Sequence, residues 1–67
     1  MQTVEEIKAE IARLQEIRNA WQQLGRMMNL ELENERHVYE LIRRQVRELN
    51  IRIGELRFPL DEGYVIA

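Results

Sequence analysis

The 67-residue sequence contains neither cysteine nor serine, and it has only three glycines and one proline. Without cysteine there is no disulfide and no thiolate metal site, which fits a reducing compartment. Without serine or cysteine the commonest nucleophiles of covalent catalysis are missing. The glycines at 25, 54 and 63 are too scattered to form a loop that cradles phosphates. These absences predict a protein that is not an enzyme and needs no cofactor.

Other absences restrict the class of partner. A net charge of −2 argues against a nucleic-acid binder, which normally carries a clear basic excess. No apolar run approaches the roughly 18 residues that a membrane span requires. The opening stretch MQTVEEIKAE is acidic and amphipathic, unlike a secretory signal. We therefore expect a cytoplasmic protein with no membrane contact.

Eleven glutamates and nine arginines, with leucine, isoleucine and glutamine, dominate the composition. Most of these residues favour helices, so an all-α fold is expected. A chain of this length buries only about 60% of its unfolded surface, and its single core is correspondingly weak. Oligomerisation is the usual remedy where disulfides are absent, so we predict a homo-oligomer, with a dimer as the first expectation.

Apolar residues recur at two positions of every heptad from Val4 to Leu56. Thirteen of these sixteen positions are apolar, against ten of the other thirty-seven in the span. A spacing close to 3.5 residues is typical of helices that pack along a coiled-coil-like stripe. The predicted oligomer core is therefore Val4, Ile7, Ile11, Leu14, Trp21, Met28, Leu32, Tyr39, Ile42, Val46, Leu49, Ile53 and Leu56.

The ends of the helical region carry their own signals. Thr3 and Glu6 have the spacing of a capping box, in which each side chain bonds to the other residue at the start of a helix. Pro59 disfavours helical backbone at Phe58, so the helical region is expected to end by about Arg57.

Several signals inside the region favour a helical hairpin, with helices at about 4–24 and 30–57. Gly25 suits a helix stop and Asn29 suits a helix start. The three heptad positions that are not apolar all lie in the middle third of the chain: Arg18, Gly25 and Glu35. Each half of the chain also begins acidic and ends basic, as the helix dipole prefers.

The apolar stripe widens near the centre through Ile17, Leu24, Val38 and Leu41. A stripe of this width suits a four-helix bundle made by two hairpins. The alternative is one long helix in a dimeric coiled coil. It is favoured by the unbroken phase of the heptads, and by Val or Ile at one heptad position with Leu at the other near each end.

The stretch after Pro59 divides the chain into an oligomerisation domain, residues 1–57, and a C-terminal apolar arm, residues 58–67. Asp61, Glu62 and Gly63 have the chemistry of a turn. The residues around them are apolar, and we expect them to be covered by other protein surface, because exposed apolar patches usually mark interaction sites. The arm either caps its own bundle or docks on a partner protein as an extended peptide. Its predicted partner-binding residues are Phe58, Leu60, Tyr64, Val65 and Ile66.

Two clusters of polar residues offer weaker signals. The side chains of Arg36, Arg43, Arg44 and Arg47 could bind phosphate, although Glu40 and Glu48 are spaced to pair with Arg44. His37, the only histidine, has Glu33 and Glu40 near it along the helix, but this spacing is unspecific and no metal site is predicted.

Taken together, these patterns predict a small non-enzymatic protein–protein interaction module that acts as a homo-oligomer. Such a module would serve as an adaptor, an assembly factor or an inhibitor of a larger protein of unknown identity. The alternative is an RNA- or nucleotide-binding helical bundle that uses the arginine cluster. Salt dependence separates the two, because phosphate binding weakens steeply as salt rises.

Overall fold

The computed structural model describes residues 2–61, together with the side-chain surroundings of residues 2–60. This part of the chain is an all-α hairpin without strands: helix α1 spans Val4–Arg26, helix α2 spans Glu33–Asp61, and residues 27–32 connect them. Its longest dimension is 49 Å, whereas one helix over residues 4–57 would measure about 80 Å at 1.5 Å per residue. The predicted helical hairpin is confirmed, and the alternative of a single long helix is wrong.

Helix α1 begins at the predicted capping box. The hydroxyl oxygen of Thr3 accepts a hydrogen bond from the backbone N–H of Glu6 at 3.1 Å. The same hydroxyl lies 3.1 Å from a carboxylate oxygen of Glu6, to which it donates. This cap satisfies the N–H of Glu6, a backbone donor with no partner inside the helix, while the Glu6 carboxylate accepts from the Thr3 hydroxyl.

The core lies between the beginning of α1 and the end of α2, as antiparallel packing requires. Ile7 and Ile11 of α1 pack with Ile53 and Leu56 of α2, and the half-buried Leu14 and Leu60 join them. Outside this cluster, an ion pair joins Arg52 to Glu10 at 3.8 Å. Because Arg52 is largely exposed there, such a pair contributes little, and apolar packing holds the hairpin together.

The expectation that the first helix stops before Gly25 is wrong. Helix α1 continues to Arg26, and Met27 caps it with right-handed backbone angles of −87° and −7°. Gly25 is buried against α2, where an added Cβ would lie 3.4 Å from Cγ2 of Ile42 and 3.6 Å from the ring of Tyr39. A methyl group would make ordinary van der Waals contact there, whereas a larger side chain would have to displace Ile42 and Tyr39. Gly25 therefore lies inside the packed helix and does not serve as a helix stop.

Asn29 starts a turn and not a helix, which corrects the second expectation. Its side-chain oxygen accepts from the backbone N–H of Glu31 at 3.0 Å, and its carbonyl accepts from the N–H of Leu32 at 3.1 Å. Helix α2 begins at Glu33, three residues later than predicted, with its first external bond from the N–H of Arg36 to the carbonyl of Leu32. Asparagine is suited to both roles, since its side chain bonds readily to nearby backbone.

The prediction that α2 ends by Arg57 is also wrong, because the helix includes Pro59 and runs to Asp61. A helical proline removes one backbone hydrogen bond, here the bond to the carbonyl of Glu55, and crowds that turn. The carbonyl that loses its donor belongs to Glu55, an exposed residue in the last two turns of the helix. Leu60 packs against the core cluster, and this burial offsets the lost bond. The extended arm therefore does not begin at residue 58.

Leucine substitutions at Gly25 and Gly54 are expected to change stability in opposite directions. An added Cβ at Gly54 would have nothing within 4 Å, so Gly54→Leu should stabilise α2 by about 0.5–1 kcal/mol through helix propensity. Gly25→Leu should destabilise the protein by about 1–3 kcal/mol, because the longer side chain must displace Ile42 and Tyr39. Urea unfolding of both variants at one protein concentration measures the difference. Equal effects would contradict the burial of Gly25 against α2.

Candidate interaction surfaces

The predicted heptad residues lie mostly between the two helices of one chain. Five are buried: Ile7, Ile11, Ile42, Ile53 and Leu56. Seven are half-buried: Val4, Leu14, Trp21, Met28, Tyr39, Val46 and Leu49. Leu32 is 49% exposed, because it lies in the turn before α2. Whether a second chain also packs on these residues stays a prediction.

Arg18 and Gly25, two of the heptad positions without an apolar side chain, both contact α2. Arg18 donates from Nη1 to the side-chain oxygen of Asn50 at 3.1 Å, and it also donates to the neighbouring Asn19. Gly25 lies under Tyr39 and Ile42. These two interruptions in the heptad pattern therefore still belong to the surface between the helices.

One side of the hairpin is an apolar face. Gly25 and Ile42 are both buried between the helices, and neighbouring residues in a helix point about 100° apart. Leu24 and Arg26 therefore turn to opposite sides of α1, and Leu41 and Arg43 turn to opposite sides of α2. Because Arg26 and Arg43 line one common groove, Leu24 and Leu41 share the other side.

Further residues extend this apolar face by helical spacing. Ile17 lies seven positions before Leu24 and Val38 lies three before Leu41, so each shares a side with its neighbour. The exposed fractions are 41% for Ile17, 41% for Leu24, 42% for Val38 and 49% for Leu41. Trp21, which is half-buried, lies between Ile17 and Leu24 on α1. These are the residues that widen the apolar stripe in the sequence.

The opposite side carries an open groove of about 750 Å³ at the half of the hairpin nearer the turn. Among the residues that the structure describes, its charged lining is Arg26, Arg43 and Arg47, without a carboxylate. Its apolar lining comes from both helices and the turn and consists of Met28, Leu30, Tyr39, Ile42, Val46 and Ile51. We call this feature the arginine groove. Its lining combines apolar side chains with cationic ones.

Sequence reasoning missed the arginine groove, although part of its signal was present. Leu30 and Ile51 are large apolar residues outside the heptad positions, and they are 47% and 56% exposed. Their placement in one groove with Arg26 depends on the antiparallel register of the helices. That register becomes visible only in the folded chain.

The predicted phosphate-binding residues are brought together in part. Arg43, Arg44 and Arg47 surround a small depression on α2, and Glu40 lies in the same depression. Arg36 is exposed but does not line it. Within the described part of the chain, none of these arginines forms an ion pair. The carboxylate of Glu40 weakens the depression as a phosphate site, because it repels an anion that the guanidinium groups attract.

His37 lies on exposed α2 surface, where it lines a shallow depression with Glu33 and Asn34. Over residues 2–60, no group of three or more His, Asp or Glu side chains is arranged to hold a metal ion. Glu33 is the carboxylate that shares this depression with His37.

The predicted partner-binding residues of the arm fall into two groups. Phe58 and Leu60 belong to α2; Phe58 is 57% exposed, whereas Leu60 is half-buried against the core cluster. The remaining three, Tyr64, Val65 and Ile66, lie outside the described residues. Leu60 therefore contributes to its own hairpin, while Phe58 is presented at the surface.

Comparison with known proteins gives no relative to reason from. No protein-family model, no curated protein and no solved structure matches the chain. In the helices that the structure describes, no segment combines the length and the apolar character needed to cross a bilayer. The function is therefore inferred from the apolar face and the arginine groove.

Proposed function

We propose that this protein is a small non-enzymatic protein–protein interaction module that acts as a homo-oligomer, with the dimer as its basic unit. Its role would be that of an adaptor, an assembly factor or an inhibitor of a larger protein. The observation that carries the proposal is the apolar face of Ile17, Leu24, Val38 and Leu41, which the hairpin alone leaves 41–49% exposed.

The thin core of the hairpin supports self-association. Among the described residues, only five apolar side chains are buried, and none is less than 2% exposed. Nine large apolar side chains of residues 2–60 are exposed, and the four on the apolar face are neighbours; contiguous apolar patches usually mark interaction sites. A second hairpin placed on the apolar face would complete a four-helix bundle.

The size of the surface is compatible with such an assembly. Stable interfaces bury about 800 Å² on each partner, which is about a seventh of the 5491 Å² surface of the hairpin. Two elongated helices presenting one side can supply an area of this size. The dimer would leave the arginine groove, on the other side, available for further contacts.

The RNA- or nucleotide-binding alternative has one observation in its favour, the gathering of Arg43, Arg44 and Arg47 around one depression. Glu40 in that depression and the net charge of −2 oppose it. The apolar face has no role in phosphate binding, whereas a bundle accounts for it directly. The interaction module is therefore the better-supported function.

Sedimentation equilibrium of the full chain at micromolar concentration tests the proposal. We expect a dimer or a larger species whose mass does not change between low and high salt, because apolar burial holds it together. A folded monomer under both conditions would contradict the proposed function. A species that forms only at low salt would instead indicate charge-driven association.

A further inference from the structure

We propose that the arginine groove is the docking site for residues 61–66 of a second copy of the chain. The inference rests on the proposed self-association and goes beyond it, because it assigns an occupant to a surface that the apolar face does not use. The argument has three parts: the charge of the groove, its apolar lining and the reach of the segment.

The charges of the groove and the segment are complementary. Within the described part of the chain, the charged residues that line the groove are Arg26, Arg43 and Arg47. None of them forms an ion pair there, and Glu40, which shares the neighbouring depression with Arg43 and Arg47, does not line the groove. The positive charge of this lining contrasts with the net charge of −2 of the whole chain. Asp61 and Glu62 place two adjacent carboxylates at the start of the segment, and a guanidinium group binds a carboxylate through two parallel hydrogen bonds.

The apolar parts also match. Tyr64, Val65 and Ile66 follow the acidic pair after a single glycine, so the segment reads as two anions followed by three apolar side chains. The groove offers the corresponding partners, with arginines beside a floor that includes Tyr39 and Leu30. A short peptide that combines main-chain contacts with apolar anchors is a common mode of recognition.

Reach decides which copy supplies the segment. Asp61 ends α2 at the end of the hairpin away from the turn. Tyr39 lies twenty-two residues earlier in the same helix, at a distance of about 33 Å. Ile66 follows Asp61 by five residues and can extend at most about 18 Å from it. The segment of one chain therefore cannot reach the turn end of its own groove.

A second copy removes this obstacle. When a second hairpin lies antiparallel on the groove side, and not on the apolar face, its Asp61 end lies beside the residue 27–32 turn of the first. Met28 and Leu30, which line the groove at the turn, are then close to the partner's segment. Exchange of the segments is reciprocal, because an interface with twofold symmetry uses the same two surfaces twice.

Cysteine cross-linking in the full chain tests the assignment, since the protein has no cysteine of its own. Chains carrying Leu30→Cys are mixed with separately tagged chains carrying Val65→Cys and oxidised gently. We expect an interchain disulfide to form about tenfold faster or more than in a matched control, because docking raises the local concentration of the two thiols. The control chain carries Leu32→Cys in place of Leu30→Cys. The two leucines are similarly exposed, at 49% for Leu32 and 47% for Leu30, but of the two only Leu30 lines the groove.

Charge exchange gives the second readout. Arg43→Glu with Arg47→Glu should abolish the preference for the Leu30 position, and adding Asp61→Arg with Glu62→Arg should restore it. A preference that survives the arginine substitutions would overturn the assignment of these arginines. Equal rates of disulfide formation at Leu30 and Leu32 would overturn the docking site. A chain that carries both Leu30→Cys and Val65→Cys is also oxidised, and a disulfide that forms only within that single chain would overturn it too.

Sedimentation of the same mixtures separates the two proposals. A monomeric protein defeats the proposed function and the docking site together. A dimer with equal cross-linking at the two positions defeats the docking site alone. RNA is added to a further sample. If RNA binds the groove and the preference for Leu30 is absent both with and without RNA, the arginines serve nucleic acid and the inference fails.

Discussion

Ile53→Ala is expected to lower the free energy of unfolding by about 2–5 kcal/mol. Ile53 is only 4% exposed and packs in the core cluster with Ile7, Ile11 and Leu56. Truncation removes apolar contacts and leaves a cavity that the helices fill incompletely. A chain of this length has a total stability of about 3–10 kcal/mol, so the loss is a large share of it and the variant is expected to be partly unfolded at room temperature.

The matched control is Ile51→Ala, the same chemical change two residues earlier in α2. Ile51 is 56% exposed, and a substitution at such a site usually changes stability by less than about 1 kcal/mol. Both variants are unfolded in urea at one protein concentration, because self-association makes stability depend on concentration. Equal losses at the two positions would show that α2 does not bury the face assigned to it here.

Much of the hairpin could be predicted from the sequence because its signals are local and periodic. The heptad spacing identified the residues that lie between the helices, and the Thr3–Glu6 pair identified the start of α1. The number of helices and their antiparallel order followed from interruptions near the middle of the chain. These features depend on neighbours within one or two helical turns, where sequence patterns are most informative.

The helix ends were predicted less well because tertiary contacts override local preference there. Gly25 has the chemistry of a helix stop, yet α1 continues through it to Arg26, and Gly25 is buried against Ile42 and Tyr39 of α2. Pro59 has the chemistry of a helix break, yet α2 continues through it to place Leu60 on the core cluster. In both cases packing against the other helix decides the outcome, and the sequence shows propensity alone.

The two candidate surfaces also differ in how far the sequence alone could predict them. The apolar face could be anticipated, since Ile17, Leu24, Val38 and Leu41 flank the heptad positions in the sequence itself. The arginine groove could not, because it combines Arg26 of α1 with Arg43 and Arg47 of α2. Residues so far apart in the sequence share a surface only through the register of the two helices.

Leu24→Glu is expected to convert the oligomer into a monomeric hairpin. Leu24 is 41% exposed on the apolar face, so a charge there is solvated in the isolated hairpin but would be buried without a partner in a four-helix bundle. Burying an unpaired charged group costs several kcal/mol. A penalty of about 3 kcal/mol raises the dissociation constant by roughly a hundredfold, enough to leave monomers at micromolar concentration.

Gln23→Glu provides the control for this substitution, because it adds the same charge at the adjacent residue of α1. Gln23 is exposed, and helical geometry turns it about 100° from Leu24, away from α2 and farther from the apolar face. We expect its mass in sedimentation equilibrium to match that of the unmodified protein, while circular dichroism shows the same helix content in both variants. If Leu24→Glu retains the oligomeric mass, the apolar face does not join the subunits, and another surface must hold any oligomer together.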